Sequence, residues 1–387
     1  MIVQHPFLWC AVLLAAGIAT GFSFPLPCYL PLLAASVVAC TLLRRGRHLH
    51  DVLTLLVWFL LGCSRAALCP VSEARAEWQQ TAGEKAKAVR ERLTVRLQAA
   101  GISPRTLALC SALTIGRKDG LEHRTRRAYS QVGVAHLLAL SGMHLGIIYG
   151  FLYFLFVRSV QHTRMRWFSL PVILLCLWGY TWIAGMPVSL LRAATMLSIL
   201  TVSLLMQHNT DPLHPLALSA VIILLIAPAD LLSISFQLSF AAVFFLLALW
   251  TPMRDRFPRL PWAVRVLAVS CIASLGTMPL TLHYFHQLPL LGPLLSLLLI
   301  PLTTLIIYLT LAAMLLPVAP TGWLLDHAVA LQQGIIDLAA GIPGGTLTGI
   351  HLDAPMVVLI YGALVIAIVR TRSSKLLSDT GGNITWQ

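Results

Sequence analysis

Apolar runs long enough to cross a lipid bilayer recur along almost the whole of this chain, and they leave it few ways to fold. Residues 7–24, 26–43 and 52–69 form one group. Residues 132–157, 167–185, 188–206, 213–227, 233–250 and 266–284 form a second, and 290–316 and 355–370 add two more. A helix needs roughly 20 apolar residues to span the hydrocarbon core. Within lipid every backbone N–H and C=O must find its partner inside the segment, so such runs become helices. Only 11% of the residues are charged, where soluble domains carry about 25%. The expected fold is an all-α polytopic integral membrane protein with about 10–11 transmembrane helices plus amphipathic surface helices. Residues 1–6 lack a basic n-region, and no small-residue cleavage site follows the first run, so the first span is expected to stay in place.

Charge orients the spans. Arg44, Arg45, Arg47 and His48 form one basic loop, Arg158, Arg164 and Arg166 a second, and Arg254, Arg256, Arg259 and Arg265 a third. Basic loops favour the cytoplasm, and these three alternate correctly with the spans. The N-terminus then lies inside, and the chain emerges outside after Cys69. Four regions result: a three-span segment 1–70, a basic extracytoplasmic amphipathic helical segment 71–131, a membrane bundle 132–370, and a short polar tail 371–387.

Segment 71–131 is polar. Residues 71–130 hold twelve Lys or Arg and six Asp or Glu, against the positive-inside trend. Val89, Leu93 and Leu97 make an apolar stripe on a helix over 84–98. Ser103-Pro104 reads as a helix start with proline in the first turn. Arg117-Lys118-Asp119-Gly120 reads as a turn, and 122–129 as a short basic helix. Arg117, Lys118, Arg124, Arg126 and Arg127 cluster just ahead of the next span. Such a cluster suits phosphates of a nucleic acid, or a solvated face or lipid headgroups.

The span that follows begins His136-Leu-Leu-Ala-Leu-Ser141-Gly142-Met-His144-Leu-Gly146-Ile-Ile-Tyr-Gly150. Ser141-Gly142 is a poor helix interior and an expected break, which a bilayer tolerates only beside protein or water. Gly142, Gly146 and Gly150 share one face, which lets a neighbouring backbone come close. His136 and His144 belong to a second ladder, expected to face a wet lumen or to be satisfied inside a helix contact. Arg192, Gln237, His283 and His286 join His136 in the outer half of the bilayer, within roughly 10 Å of one surface at 1.5 Å rise per residue. They line an outer vestibule, or else Arg192 snorkels and the others cap helix ends.

Enzyme and metal chemistry are not expected. No glycine-rich phosphate loop occurs. His283 and His286 have helical metal spacing without a carboxylate beside them, so no metal or other cofactor is assigned. Ser141 paired with His136 or His144 is a weak hydrolase reading, because residues 136 and 141 point roughly 140° apart on a helix of 3.6 residues per turn. The eight cysteines lack metal spacing, and a disulfide between Cys69 and Cys110 stays open.

His136–Gly146, HLLALSGMHLG, resembles the signature of ComEC-type competence proteins, inner-membrane channels for DNA uptake. Further matches follow in that family's order: Leu191-Arg192-Ala193-Ala194-Thr195-Met196, then Pro228 through Ser233-Ile-Ser-Phe236-Gln237-Leu-Ser-Phe240, then Pro279-Leu-Thr-Leu-His283-Tyr-Phe285. The resemblance covers residues 105–305. It implies a multi-pass channel of the inner (cytoplasmic) membrane that translocates incoming single-stranded DNA. His136, Ser141, Gly142, His144, Gly146, Arg192, Gln237, His283 and His286 would mark the path, and the five basic residues the DNA contact. Partners would be single-stranded DNA, membrane lipids, other competence proteins (a DNA receptor, a nuclease, a cytoplasmic helicase) and further copies of the chain. A permease for another anionic or small solute is the alternative, and a structural envelope subunit a third. Many members also carry an external oligonucleotide-binding β-domain and a metallo-hydrolase-like domain. Residues 70–100 leave no room for the first, and no His-x-His-x-Asp-His run supplies the second, so strand degradation is expected to need another protein.

Residues 323–340 leave the tail open. Asp326, Gln333 and Asp337 form a stripe that suits a surface helix or a span facing a lumen. Arg370, Arg372 and Lys375 favour an inside tail, whereas the family's hydrolase domain favours the outside. The reading leans narrowly to the outside.

Overall fold

The computed structural model of the 387-residue chain describes residues 6–24, 26, 28–42, 47–68, 73–117, 120–138, 140–158, 163–205, 211 and 213–380. It is an all-α membrane protein. Helices α1 (Pro6–Ser23), α2 (Tyr29–Leu42) and α3 (Arg47–Leu68) come first, then α4 (Glu73–Ala99), α5 (Pro104–Ile115) and α6 (His123–Gln131). A single turn α7 (Ala135–Leu138) precedes α8 (Gly142–Tyr153), which runs on as a wider turn over Phe154–Arg158. Next are α9 (Thr163–Ile183), α10 (Val188–Leu205), α11 (Leu213–Ile226) and a tight turn over Pro228–Leu232. Helix α12 (Ile234–Phe245) continues through Leu246–Trp250 into α13 (Thr251–Arg256), and α14 (Trp262–Phe285) returns. Strand β1 (Gln287–Pro289), α15 (Gly292–Leu315), α16 (Ala319–Ala340), strand β2 (Thr346–Thr348) and α17 (Ala354–Thr380) complete the chain.

Among the described residues three helical stretches are long and apolar enough to cross a membrane: Ile234–Arg256, Trp262–Phe285 and Gly292–Leu315. Seven shorter apolar helices accompany them. Large side chains such as Phe168, Leu175, Leu315, Leu338 and Leu359 are more than 70% exposed. A soluble protein does not leave so much apolar surface in water, and lipid is the solvent that matches it.

Helices α1 and α3 approach each other closely on both sides. A Cβ built on Gly17 would lie 2.0 Å from the Phe59 carbonyl oxygen, and one on Gly62 2.3 Å from that of Leu14. Small residues are what allow this packing where lipid removes a hydrophobic drive. The glycine ladder read on α8 behaves differently. A Cβ on Gly142 would meet Ala193 of α10 at 3.2 Å, but at Gly146 and Gly150 it would meet open space. The ladder packs only at its first rung, because beyond it α8 meets α10 through Leu145 and Tyr149 instead of the glycine face.

Segment 71–131 is not a separate surface layer. Leu97 and Ala100 at the end of α4, Leu109, Cys110, Leu113 and Ile115 of α5, and Tyr129 of α6 share one core with α7, α15 and α16. Cys110 is a fully buried free thiol within that core; Cys69, the other half of the open disulfide reading, lies outside the described residues. Ser103 caps α5, accepting from the Thr106 N–H with Pro104 in the first turn, as the Ser-Pro pair predicts. The α16 stripe turns toward this segment. Asp326 accepts from the Ser103 hydroxyl at 2.8 Å, and Gln333 donates to the Tyr129 hydroxyl at 3.1 Å. Neither lipid nor a lumen receives those two side chains; α5 and α6 do.

Strands β1 and β2 pair antiparallel, Leu288 opposite Leu347. The α15–α16 hairpin therefore leaves and returns at one place. From there α17 descends beside α14 and α12: Tyr361 donates to the Gly276 carbonyl, and Ile368 packs with Phe245 and Ala248. It runs parallel to α12 and ends with the basic loop at 254–265. The far end of α17 therefore shares an end of the bundle with the basic loop that the sequence reading places inside, which argues against the narrow lean toward an outside tail.

Candidate functional site

The site is a broken helix and the polar contacts that anchor it. At Ser141 the backbone is extended, φ −117° and ψ 167°, so α7 ends and α8 starts anew. His144 supplies the cap. Its Nδ1 accepts from the Ser141 N–H at 3.3 Å and lies 2.9 Å from the Ser141 hydroxyl. An acceptor at Nδ1 leaves the proton of a neutral ring on Nε2. That atom is buried without a hydrogen-bond partner of good geometry, near the Leu137 carbonyl. The arrangement follows capping-box logic, with histidine where Glu or Gln is usual. His144 is 0% exposed, so it does not face a wet lumen as its ladder suggested. His136 of the same ladder is exposed, one turn away on α7.

A line of polar contacts runs from the break across three more helices to the segment that leads into α17. The Ser189 hydroxyl of α10 donates to the Leu140 carbonyl at 2.6 Å. Arg192, one turn further along α10 and 2% exposed, donates from one terminal nitrogen to the Ser235 carbonyl and hydroxyl of α12, both at 2.8 Å. Gln237 of α12 donates to the Leu231 carbonyl at 3.0 Å and accepts from the Tyr284 hydroxyl of α14 at 2.9 Å. His283 Nδ1 sits 2.6 Å from the Leu352 carbonyl, just before α17. His286, in left-handed backbone at φ 54°, ends α14 and stacks on His351 with ring centroids 4.2 Å apart.

Arg192, Gln237, His283 and His286 do belong to one end of the bundle. The described polar contacts of Arg192, Gln237 and His283, however, reach neighbouring segments, whereas exposed His286 turns back to the Leu282 carbonyl of its own helix. For buried Arg192 the contact matters most, since a buried donor without a partner costs about 1–3 kcal/mol. Arg192 does not snorkel to the surface; it binds the first turn of α12. Sequence reading missed Ser189, Ser235 and Tyr284, the partners. Ser235 and Tyr284 lie inside the quoted motifs, so the motif itself was the available signal. Among the described residues no cluster of three metal-ligating side chains occurs.

The basic cluster splits. Lys118 lies outside the described residues. Arg117 is half-buried, whereas Arg124, Arg126 and Arg127 are exposed on α6. The opposite face of α6 buries Thr125, Ala128 and Tyr129. Three residues after α6 the chain enters α7, so the arginine face leads directly to the break.

A multi-helix membrane bundle with a broken helix, anchored at the break to a chain of polar contacts at one end and preceded by a basic helix, is the class of protein defined here. The chain belongs to the Competence protein family, whose model matches residues 113–373. It is 29% identical over 300 residues to ComE operon protein 3 of Bacillus subtilis, covering 73% of this chain and 37% of that one. It is 29% identical over 271 residues to Recombination protein 2 of Haemophilus influenzae, covering 66% and 34%. An uncharacterized protein of Escherichia coli, YcaI, is 31% identical over 248 residues, covering 60% and 31%. The chain spans about a third of the length of these curated relatives. No solved structure matches.

Proposed function

We propose that the chain forms a multi-pass conduit in the cytoplasmic membrane that passes one strand of incoming DNA during competence. Family membership supports a role in competence. The observation that carries the DNA step is the α6 face. Arg124 and Arg127 are exposed with no ion-pair partner among the described residues, and they stand just ahead of the broken helix. Phosphate contacts by Lys and Arg dominate nucleic-acid affinity, and a positive mouth concentrates a polyanion. The reading is non-enzymatic and cofactor-free. Ser141 and His144 act as a helix cap, because Nδ1 is already shared with a backbone N–H. The DNA receptor, nuclease and helicase of an uptake pathway, surrounding lipids and further copies of the chain are the partners this role calls for.

Binding of labelled single strands to the purified full chain, measured across salt concentrations, tests the reading. Each phosphate contact contributes a slope near −0.7. The double variant Arg124→Gln/Arg127→Gln should flatten the slope by roughly 1.4 units and leave membrane insertion unchanged. A wild-type slope in that variant removes α6 as the contact. Absence of salt-dependent binding in the wild type favours a small-solute permease.

A further inference from the structure

A cleft of about 350 Å³ opens between α5, α6 and α16, on the Thr125 side of α6 and at its N-terminal end. This lies at the small end of ligand sites, about 300–1,000 Å³, and suits one flat ring system. Leu109, Leu121 and Val329 form apolar walls. Two acceptors stand against them. Gln333 is 5% exposed, and its Oε1 has no hydrogen-bond partner while its Nε2 is held by Tyr129. Glu122, at the N-cap of α6, makes no side-chain cap bond, and its carboxylate stands at the rim with no partner among the described residues. Arg105 occupies the same rim. A buried amide oxygen left without a donor is costly, and in this position a ligand N–H relieves it.

Resting on the DNA reading above, we propose that this cleft receives a single unstacked base bearing an exocyclic amino group, from a strand whose phosphates lie on Arg105, Arg124 and Arg127. Single-stranded bases are splayed out and read on their Watson–Crick edges in protein pockets. Cytosine, adenine and guanine each offer an amino donor to Glu122 and Gln333. Thymine offers one ring N–H flanked by two carbonyl oxygens, which the carboxylate repels. The cleft therefore gives a sequence-blind phosphate track a compositional bias.

The test compares fluorescence-labelled dC20 and dT20 on the full chain in nanodiscs at fixed salt. Binding of dC20 should be about tenfold tighter, the effect of one charge-assisted hydrogen bond. Glu122→Gln, at an exposed position, should cut that preference to about threefold or less and keep the salt slope. Leu121→Trp, which fills the cleft from a loop, should abolish it. Equal affinity for dC20 and dT20 in the wild type overturns the proposal, as does an unchanged preference in both variants. Salt-dependent binding without base preference sinks the cleft alone; absence of salt-dependent binding sinks the DNA reading with it.

Discussion

At the scale of single residues, a polar side chain in the bundle is best understood through the atom it bonds. His144 looks like a lumen residue in the sequence, yet it closes the start of α8. His144→Ala should lower stability by about 1–2 kcal/mol, the magnitude of a lost cap. His144→Gln, which can restore the box, should recover most of it; thermal unfolding in detergent reads both. The reverse holds for Gly146. A side chain there enters open space, so Gly146→Leu should unfold within a degree or two of wild type. These two roles were illegible because period alone identifies a face without saying what lies opposite it. The break at Ser141-Gly142 was legible, since both residues are poor in a helix interior.

At the scale of elements, helix existence and caps were mostly readable and partners were not. Ser103-Pro104 announced α5, and Glu122 the start of α6. The glycine spacing on α1 carried the same information as that on α8, but only α1 has a backbone against it. Gly17→Ala should cost about 1–3 kcal/mol or more, because Phe59 must move for the new methyl. Loss of monodisperse protein in detergent would report it. The α10–α12–α14 line makes a second prediction. Gln237→Leu strips the Tyr284 hydroxyl and Leu231 carbonyl of a partner together. It should destabilise by about 1–3 kcal/mol, and Tyr284→Phe in that background should restore part of the loss. If the two substitutions are simply additive, the contact contributes nothing.

At the scale of the whole molecule, the end of the bundle that a helix reaches is set by few contacts. Leu352 on His283 and Ile368 beside Phe245 send α17 toward the basic loop. A reporter fused after residue 380 should therefore signal cytoplasm, and one inserted after Gly101 should signal the outside. An outside signal at the tail would mean that α17 does not cross beside α12. The family and its motifs were legible from the outset because four short patterns occur in order. The shared core was not, because an apolar helix over 104–115 does not itself say that its partners, α15 and α16, lie far along the chain.

That shared core has a consequence in time. Leu109 and Leu113 of α5 are buried by α15 and α16, whose first residue is made about 180 residues after Ile115. At about 5–20 residues per second, α5 waits roughly 10–40 s for its partners during synthesis. Through that interval a finished helix has its apolar side chains uncovered. The nascent protein then needs an insertase, a periplasmic holdase or the lipid surface itself to shelter α5, and starving cells of that shelter should expose it to proteolysis before the chain is complete.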